Sequence, residues 1–227
     1  MYIFIRTMAD TFSYSQLEAE IMPTVHTIIG EGITLTKPGS IKYLLYGPEP
    51  SAQSISIKMG RIGELIVKSI VNHSPNLELL KCGVQCIDEE TKKKKDIDLI
   101  WKDENKKKIF YMEAKGNIDL DSEKLPATID KIKEILETHI KPNYPEYEIE
   151  IGVFNWSVYN REALDKFSHI KRCEAKCIKV YHMGDMLKIL NFEWSEESYT
   201  SFFRKIGILM QTMFSQRNNY ELRDACC

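Results

Sequence analysis

Apolar residues recur along this chain in two rhythms. From Ser15 to Ile29 they fall at Leu17, Ile21, Val25 and Ile28, one side of a 3.6-residue repeat, and Gly30-Glu31-Gly32 closes that helix. A polar, aromatic stretch follows, from Lys37-Pro38-Gly39-Ser40 through Tyr43 and Tyr46 to Gly47-Pro48-Glu49-Pro50. The helical period returns over Gln53–Val71 (Ile55, Met59, Ile62, Leu65, Ile66, Ile70). It returns again over Glu123–Ile140 (Leu125, Ile129, Ile132, Leu136, Ile140), where Pro142 and Pro145 are expected to end the helix. Between these two helices lie three shorter apolar runs, Leu77–Ile87, Lys95–Trp101 and Phe110–Lys115, which read as meandering strands. Ile149, Ile151 and Val153 alternate within a strand over Tyr147–Trp156. A helix over Arg161–Phe167, a strand over Lys176–Tyr181, a short helix over Asp185–Leu190 and a longer one over Glu196–Phe214 complete the chain. The polar tail from Ser215 is expected to fray.

Helices that intervene between later strands imply crossovers, and the meander implies antiparallel neighbours. The expected architecture is therefore α/β, a central mixed sheet flanked by helices, in one domain over residues 1–227. The stripe Tyr199, Phe202, Phe203, Ile206, Leu209, Met210 and Met213 on the last helix reads as core.

Charges interrupt this apolar pattern at one place. Asp98 sits in the run Lys95-Asp-Ile-Asp-Leu-Ile-Trp101, and Glu113-Ala114-Lys115 ends the run that starts at Phe110. Charged groups inside such runs are costly to bury without partners. The polar segment Asp103-Glu-Asn-Lys-Lys-Lys108 joins the two runs as a hairpin, and symmetric pairing about it sets Asp98 opposite Glu113. Directly opposed residues have Cβ atoms roughly 4.5–5.5 Å apart. Glu113 and Lys115, two apart, share a face, while the small Ala114 points to the other. Two carboxylates this close repel until a cation joins them, and Mg²⁺ takes oxygen ligands while keeping several waters. An adjacent lysine can orient a water through its ammonium or, as the neutral amine, deprotonate it. This chemistry suits hydrolysis of a phosphodiester. A Glu-x-Lys can also be a mere solvated strand face, but the apolar flanks, the upstream Gly63-Glu64 helix and the amphipathic helix that follows argue against it.

At these residues the chain resembles the PD-(D/E)xK nuclease superfamily, whose pattern is an Asp early in a hairpin and a Glu-x-Lys in its second strand. Asp98, Glu113 and Lys115 match that pattern, and Glu64 matches the helical Glu that often accompanies it. The run from Asn117 through Asp121-Ser122-Glu123-Lys124 is similar to a segment after the catalytic Lys in type II restriction endonucleases. Lys95-Asp96 stand where a Pro often precedes the Asp; Asp98 is preferred to Asp96 because it faces Glu113. The resemblance implies a restriction-endonuclease-like fold. It also implies Mg²⁺ held by Asp98, Glu113 and the Ala114 carbonyl, with Lys115 acting on water and Glu64 assisting. Double-stranded DNA would be cut at a short palindrome by a homodimer. A repair or recombination nuclease of the same fold and a non-catalytic DNA-binding domain are the alternatives.

Polar residues crowd the entry to the Glu64 helix. Lys37, Ser40, Lys42, Tyr43, Ser51, Gln53, Ser54, Lys58 and Arg61 are candidate DNA contacts, with Asn117, Lys124 and Thr128 as further ones. A net charge of −2 does not advertise nucleic-acid binding, but basic residues need only line one cleft. No apolar run reaches the roughly 18 residues of a membrane span, and Met1–Thr7 lacks a basic leader, so a cytoplasmic protein is expected. Cys82/Cys86 and Cys173/Cys177 could pair as zinc ligands, but the first pair, on a strand, does not converge on one ion and the second lies across a bend before a strand, so all four read as free thiols.

Overall fold

The computed structural model of the chain describes residues 12–32, 34–116, 123–160 and 168–224. Ser13 starts the first helix, α1 (Tyr14–Gly30), with a reciprocal capping box to Gln16. α2 (Ile41–Tyr46) and α3 (Ala52–His73) follow, capped by Ser40 and Ser51, whose side chains accept from the N–H of Tyr43 and Ser54. The strands are β1 (Leu77–Leu79), β2 (Gly83–Asp88), β3 (Lys93–Ile97), β4 (Leu99–Asp103) and β5 (Lys108–Lys115). Next come α4 (Leu125–Ile135), a π-helical turn (Leu136–Ile140) and α5 (Lys141–Asn143), then β6 (Glu148–Asn155). The chain ends with α6 (Ser168–Glu174), β7 (Lys179–His182), α7 (Met183–Leu190) and α8 (Glu196–Asp224).

Five strands form the central sheet in the order β1-β4-β5-β6-β7. β1, β4 and β5 pair antiparallel, whereas β5, β6 and β7 pair parallel, with α4 and α6 lying on the connections between the parallel strands. The protein is thus α/β with a central mixed sheet flanked by helices, as the alternation of patterns implied. Leu99, Trp101, Phe110, Met112 and Phe154 face a core shared with α1, α3, α7 and α8. Ile100, Ile109, Tyr111, Val153 and Val180 face a second core with α4 and α6.

Several boundaries differ from the expectation. The run Leu77–Ile87 is two strands: β1 joins the central sheet, while β2 pairs with β3 as a separate two-stranded ribbon. Gly83, at φ +89°, turns the chain between them. The run Lys95–Trp101 likewise breaks at Asp98, where the chain leaves the ribbon for the central sheet. Pro142 does not stop the helix, because it lies at the start of α5, where a missing N–H costs little. α2 forms within the polar, aromatic stretch, to which the sequence pattern assigns no element, and α8 continues past Phe214 to Asp224. The helix expected over 161–167 lies outside the described residues; α6 follows at Ser168–Glu174. Among the described residues, no helix is long and apolar enough to cross a membrane.

Candidate functional site

The β4–β5 hairpin sets the site. Trp101 and Phe110 are direct partners and their rings stack at 5.1 Å, while buried Asp103 accepts from the Lys106 N–H at 3.0 Å and closes the turn. The register runs from Asp103↔Lys108 to Leu99↔Met112. One further step brings Asp98 opposite Glu113. Asp98 itself lies outside the strands, because its side chain substitutes for the ladder: Oδ2 accepts from the Ala114 N–H at 2.9 Å. That bond fixes the carboxylate against β5.

Glu113 is buried, at 3 % exposure. Lys115, on the same face of β5, donates from Nζ to Glu113 Oε1 at 3.2 Å. Ala114 points the other way and packs against the core of α1, α3 and α8. A second ammonium, not anticipated from the sequence, enters from α4: Lys131 Nζ lies 2.6 Å from Glu113 Oε2 and 3.6 Å from Asp98 Oδ1. The buried Glu113 Oε2 has no well-aligned hydrogen bond, so its contact with Lys131 is one of charge. The signal for Lys131 was its place on α4, three residues after buried Thr128 and four before buried Ile135, where a charge needs a partner inside.

Burial, then the Glu113 charge, pushes the Asp98 carboxyl up to about 7; Glu64 adds to the shift, and Lys131 and the Ala114 N–H oppose it. Burial disfavours the Lys131 charge, but Asp98 and Glu113 outweigh it and its pKa is raised. The Tyr111 hydroxyl, two residues before Glu113, is buried and its pKa is raised by burial and then by the charges of Glu113, Asp98 and Asp96.

A divalent cation fits this donor set. Two carboxylates converge on one ammonium, one of their oxygens is buried without a directed bond, and burial and the Glu113 charge hold the Asp98 carboxyl up. Among the described residues, no three His, Cys, Asp or Glu side chains converge to hold an ion. An ion on Asp98 and Glu113 would therefore complete its shell with a backbone carbonyl, that of Ala114 being the candidate, and with water, as Mg²⁺ does readily.

Glu64 is brought near but not into contact. It lies half-buried on α3 and bonds Lys68 Nζ at 2.7 Å, yet its charge bears on Asp98. α3 comes this close because Gly63 presents no side chain to Trp156; a Cβ there would stand 2.6 Å from the indole.

The candidate DNA contacts divide. Ser40 and Ser51 cap α2 and α3, Ser54 Oγ accepts from the Thr34 N–H at 3.1 Å, and buried Lys58 donates to the Ile28 carbonyl at the end of α1. Lys42 pairs with Glu49 at 3.3 Å and Arg61 with Glu31, both on the surface. Lys37, Gln53 and Lys124 are exposed, Tyr43 is half-buried and Thr128 is buried; Asn117 lies outside the described residues. Cys82 and Cys86 direct their thiols to the Leu80 and Asp88 carbonyls, and burial pushes the Cys173 thiol up to about 11. Comparison of the chain with protein-family models and with curated proteins gave no match.

Proposed function

We propose that this protein is a Mg²⁺-dependent type II restriction endonuclease of restriction-endonuclease-like fold, cutting double-stranded DNA at a short palindrome as a homodimer. The observation that carries the reading is the opposed pair Asp98 and Glu113, buried at the end of a hairpin, with Lys115 on Glu113. In this reading Asp98, Glu113 and the Ala114 carbonyl hold Mg²⁺, which supplies positive charge at the scissile phosphate. Glu113 Oε1 orients the Lys115 ammonium. Lys115 positions the attacking water through its ammonium, or takes its proton as the neutral amine, as the bond from water oxygen to phosphorus forms; the bond from phosphorus to the leaving oxygen breaks, and that oxygen takes a proton from solvent water. In this reading Glu64 assists by holding a further water or a second ion. Lys37, Gln53 and Lys124, which are exposed and polar, contact the DNA in this reading.

The test is cleavage of plasmid DNA in Mg²⁺. Wild-type protein is expected to give discrete bands, and Glu113→Ala or Lys115→Ala to abolish cleavage while duplex binding persists in a mobility-shift assay. Cleavage retained in either variant overturns the assignment. Cutting confined to junctions or flaps would instead make the protein a structure-specific nuclease.

A further inference from the structure

One oxygen of each carboxylate in the acidic pair accepts a hydrogen bond. Asp98 Oδ2 is held by the Ala114 N–H, and Glu113 Oε1 by Lys115. The two oxygens left over are Asp98 Oδ1 and Glu113 Oε2, and Lys131 Nζ forms an ion pair with both, at 3.6 and 2.6 Å. A charge paired with one oxygen of each carboxylate stands in the region a shared cation needs. The Lys131 side chain is 19 % exposed and reaches this place from α4, on a different element from either carboxylate. A lysine carries a compact point charge on a flexible stem, so it can fill such a place and also leave it.

We infer that Lys131 is a built-in counter-cation, which holds Asp98 and Glu113 together in the metal-free protein and must surrender their facing oxygens when a divalent ion binds. The inference rests on the metal-site reading above. It makes Lys131 a positioning residue for the ion, distinct from Lys115, whose partner is the other oxygen of Glu113. Ion binding then exchanges one cation for another, so the protein's intrinsic affinity for the ion is lowered by the ammonium it must displace.

The test uses the full chain stripped of metal and titrated with Mn²⁺ by calorimetry, comparing wild type with Lys131→Met and Lys133→Met. Lys133 is an exposed lysine of the same helix, and its loss reports on general charge alone. Lys131→Met is expected to bind Mn²⁺ about tenfold tighter than wild type, with Lys133→Met close to wild type. Equal or weaker binding by Lys131→Met overturns the inference, as does an equal gain in Lys133→Met; either result leaves the metal site standing. Absence of Mn²⁺ binding in wild type and Lys131→Met alike overturns the metal site and the inference with it. A measurement on wild type covers the case in which Lys131→Met does not fold. Acylation of Lys131 by an amine-reactive reagent, followed by mass spectrometry, should rise on adding Mn²⁺, and unchanged labelling counts against displacement.

Discussion

Asp98 has to be ionised to ligate a cation, and its surroundings resist that. Its carboxyl is held at about 7 by burial and by the Glu113 charge, against roughly 3.9 in an unfolded chain. Between those values the folded protein keeps a proton that the unfolded chain releases. The corresponding stability is complete below about pH 4 and is lost progressively as the pH rises to about 7, at no more than about 1.4 kcal/mol per pH unit. Metal-free protein should therefore unfold at lower urea concentration at pH 8 than at pH 5, and Asp98→Asn should flatten that difference. An unchanged pH dependence in Asp98→Asn would place the titration elsewhere. Asp98, Glu113 and Lys115 were legible in the sequence because strand parity and a symmetric turn determine which residues oppose. Lys131 was not, because its partners lie on other elements, and no local spacing connects a helix residue to a particular point on a sheet. Lys58 was misleading for the same reason: its polarity suggested a surface contact, but its ammonium satisfies the Ile28 carbonyl at the end of α1.

At the scale of elements, α3 makes one especially close approach. Its Gly63 lies beneath Trp156, which is 6 % exposed and follows the end of β6, and Glu64 is the next residue. Gly63→Ala gains helix propensity but drives a methyl into the indole, and overpacking of this kind costs about 1–3 kcal/mol. Gly60→Ala, on the same helix with nothing within 4 Å of the added carbon, should stabilise by up to about 1 kcal/mol. Opposite shifts of the urea midpoint are expected, and a stabilised Gly63→Ala would refute that close approach. Element identity was readable where periodicity was sustained, as in α1, α3 and α4. It was not readable in α2, whose Ile41, Leu44 and Leu45 stay 66–77 % exposed and so leave no buried stripe for a pattern to record. Nor could an apolar run show that β2 and β3 form their own ribbon: strand propensity reports that a segment pairs, not with which partner.

The whole molecule places the candidate site at an internal boundary. Asp98 marks the point where the chain passes from the β2–β3 ribbon to the central sheet, and α4, which carries Lys131, crosses from β5 towards the parallel strand β6. The mixed sheet follows from this order of strands and intervening helices, which is why the architecture could be anticipated although individual boundaries shifted. The proposed reaction adds a constraint of symmetry. One chain has one Asp98–Glu113 pair, which serves one scissile phosphate, whereas a palindromic duplex presents two equivalent phosphates related by a two-fold axis. A net charge of −2 gives the chain no general attraction for DNA, so a single copy would have to depend on a few lysines, while two copies double those contacts on one duplex. Cleavage-deficient Glu113→Gln, mixed with a short duplex containing the site found by run-off sequencing of cut plasmid, should therefore sediment as two 26.4 kDa chains per duplex. One chain per duplex, with wild-type protein releasing nicked circles before linear DNA, would mean that the strands are cut independently and that the palindrome is not read by a symmetric pair.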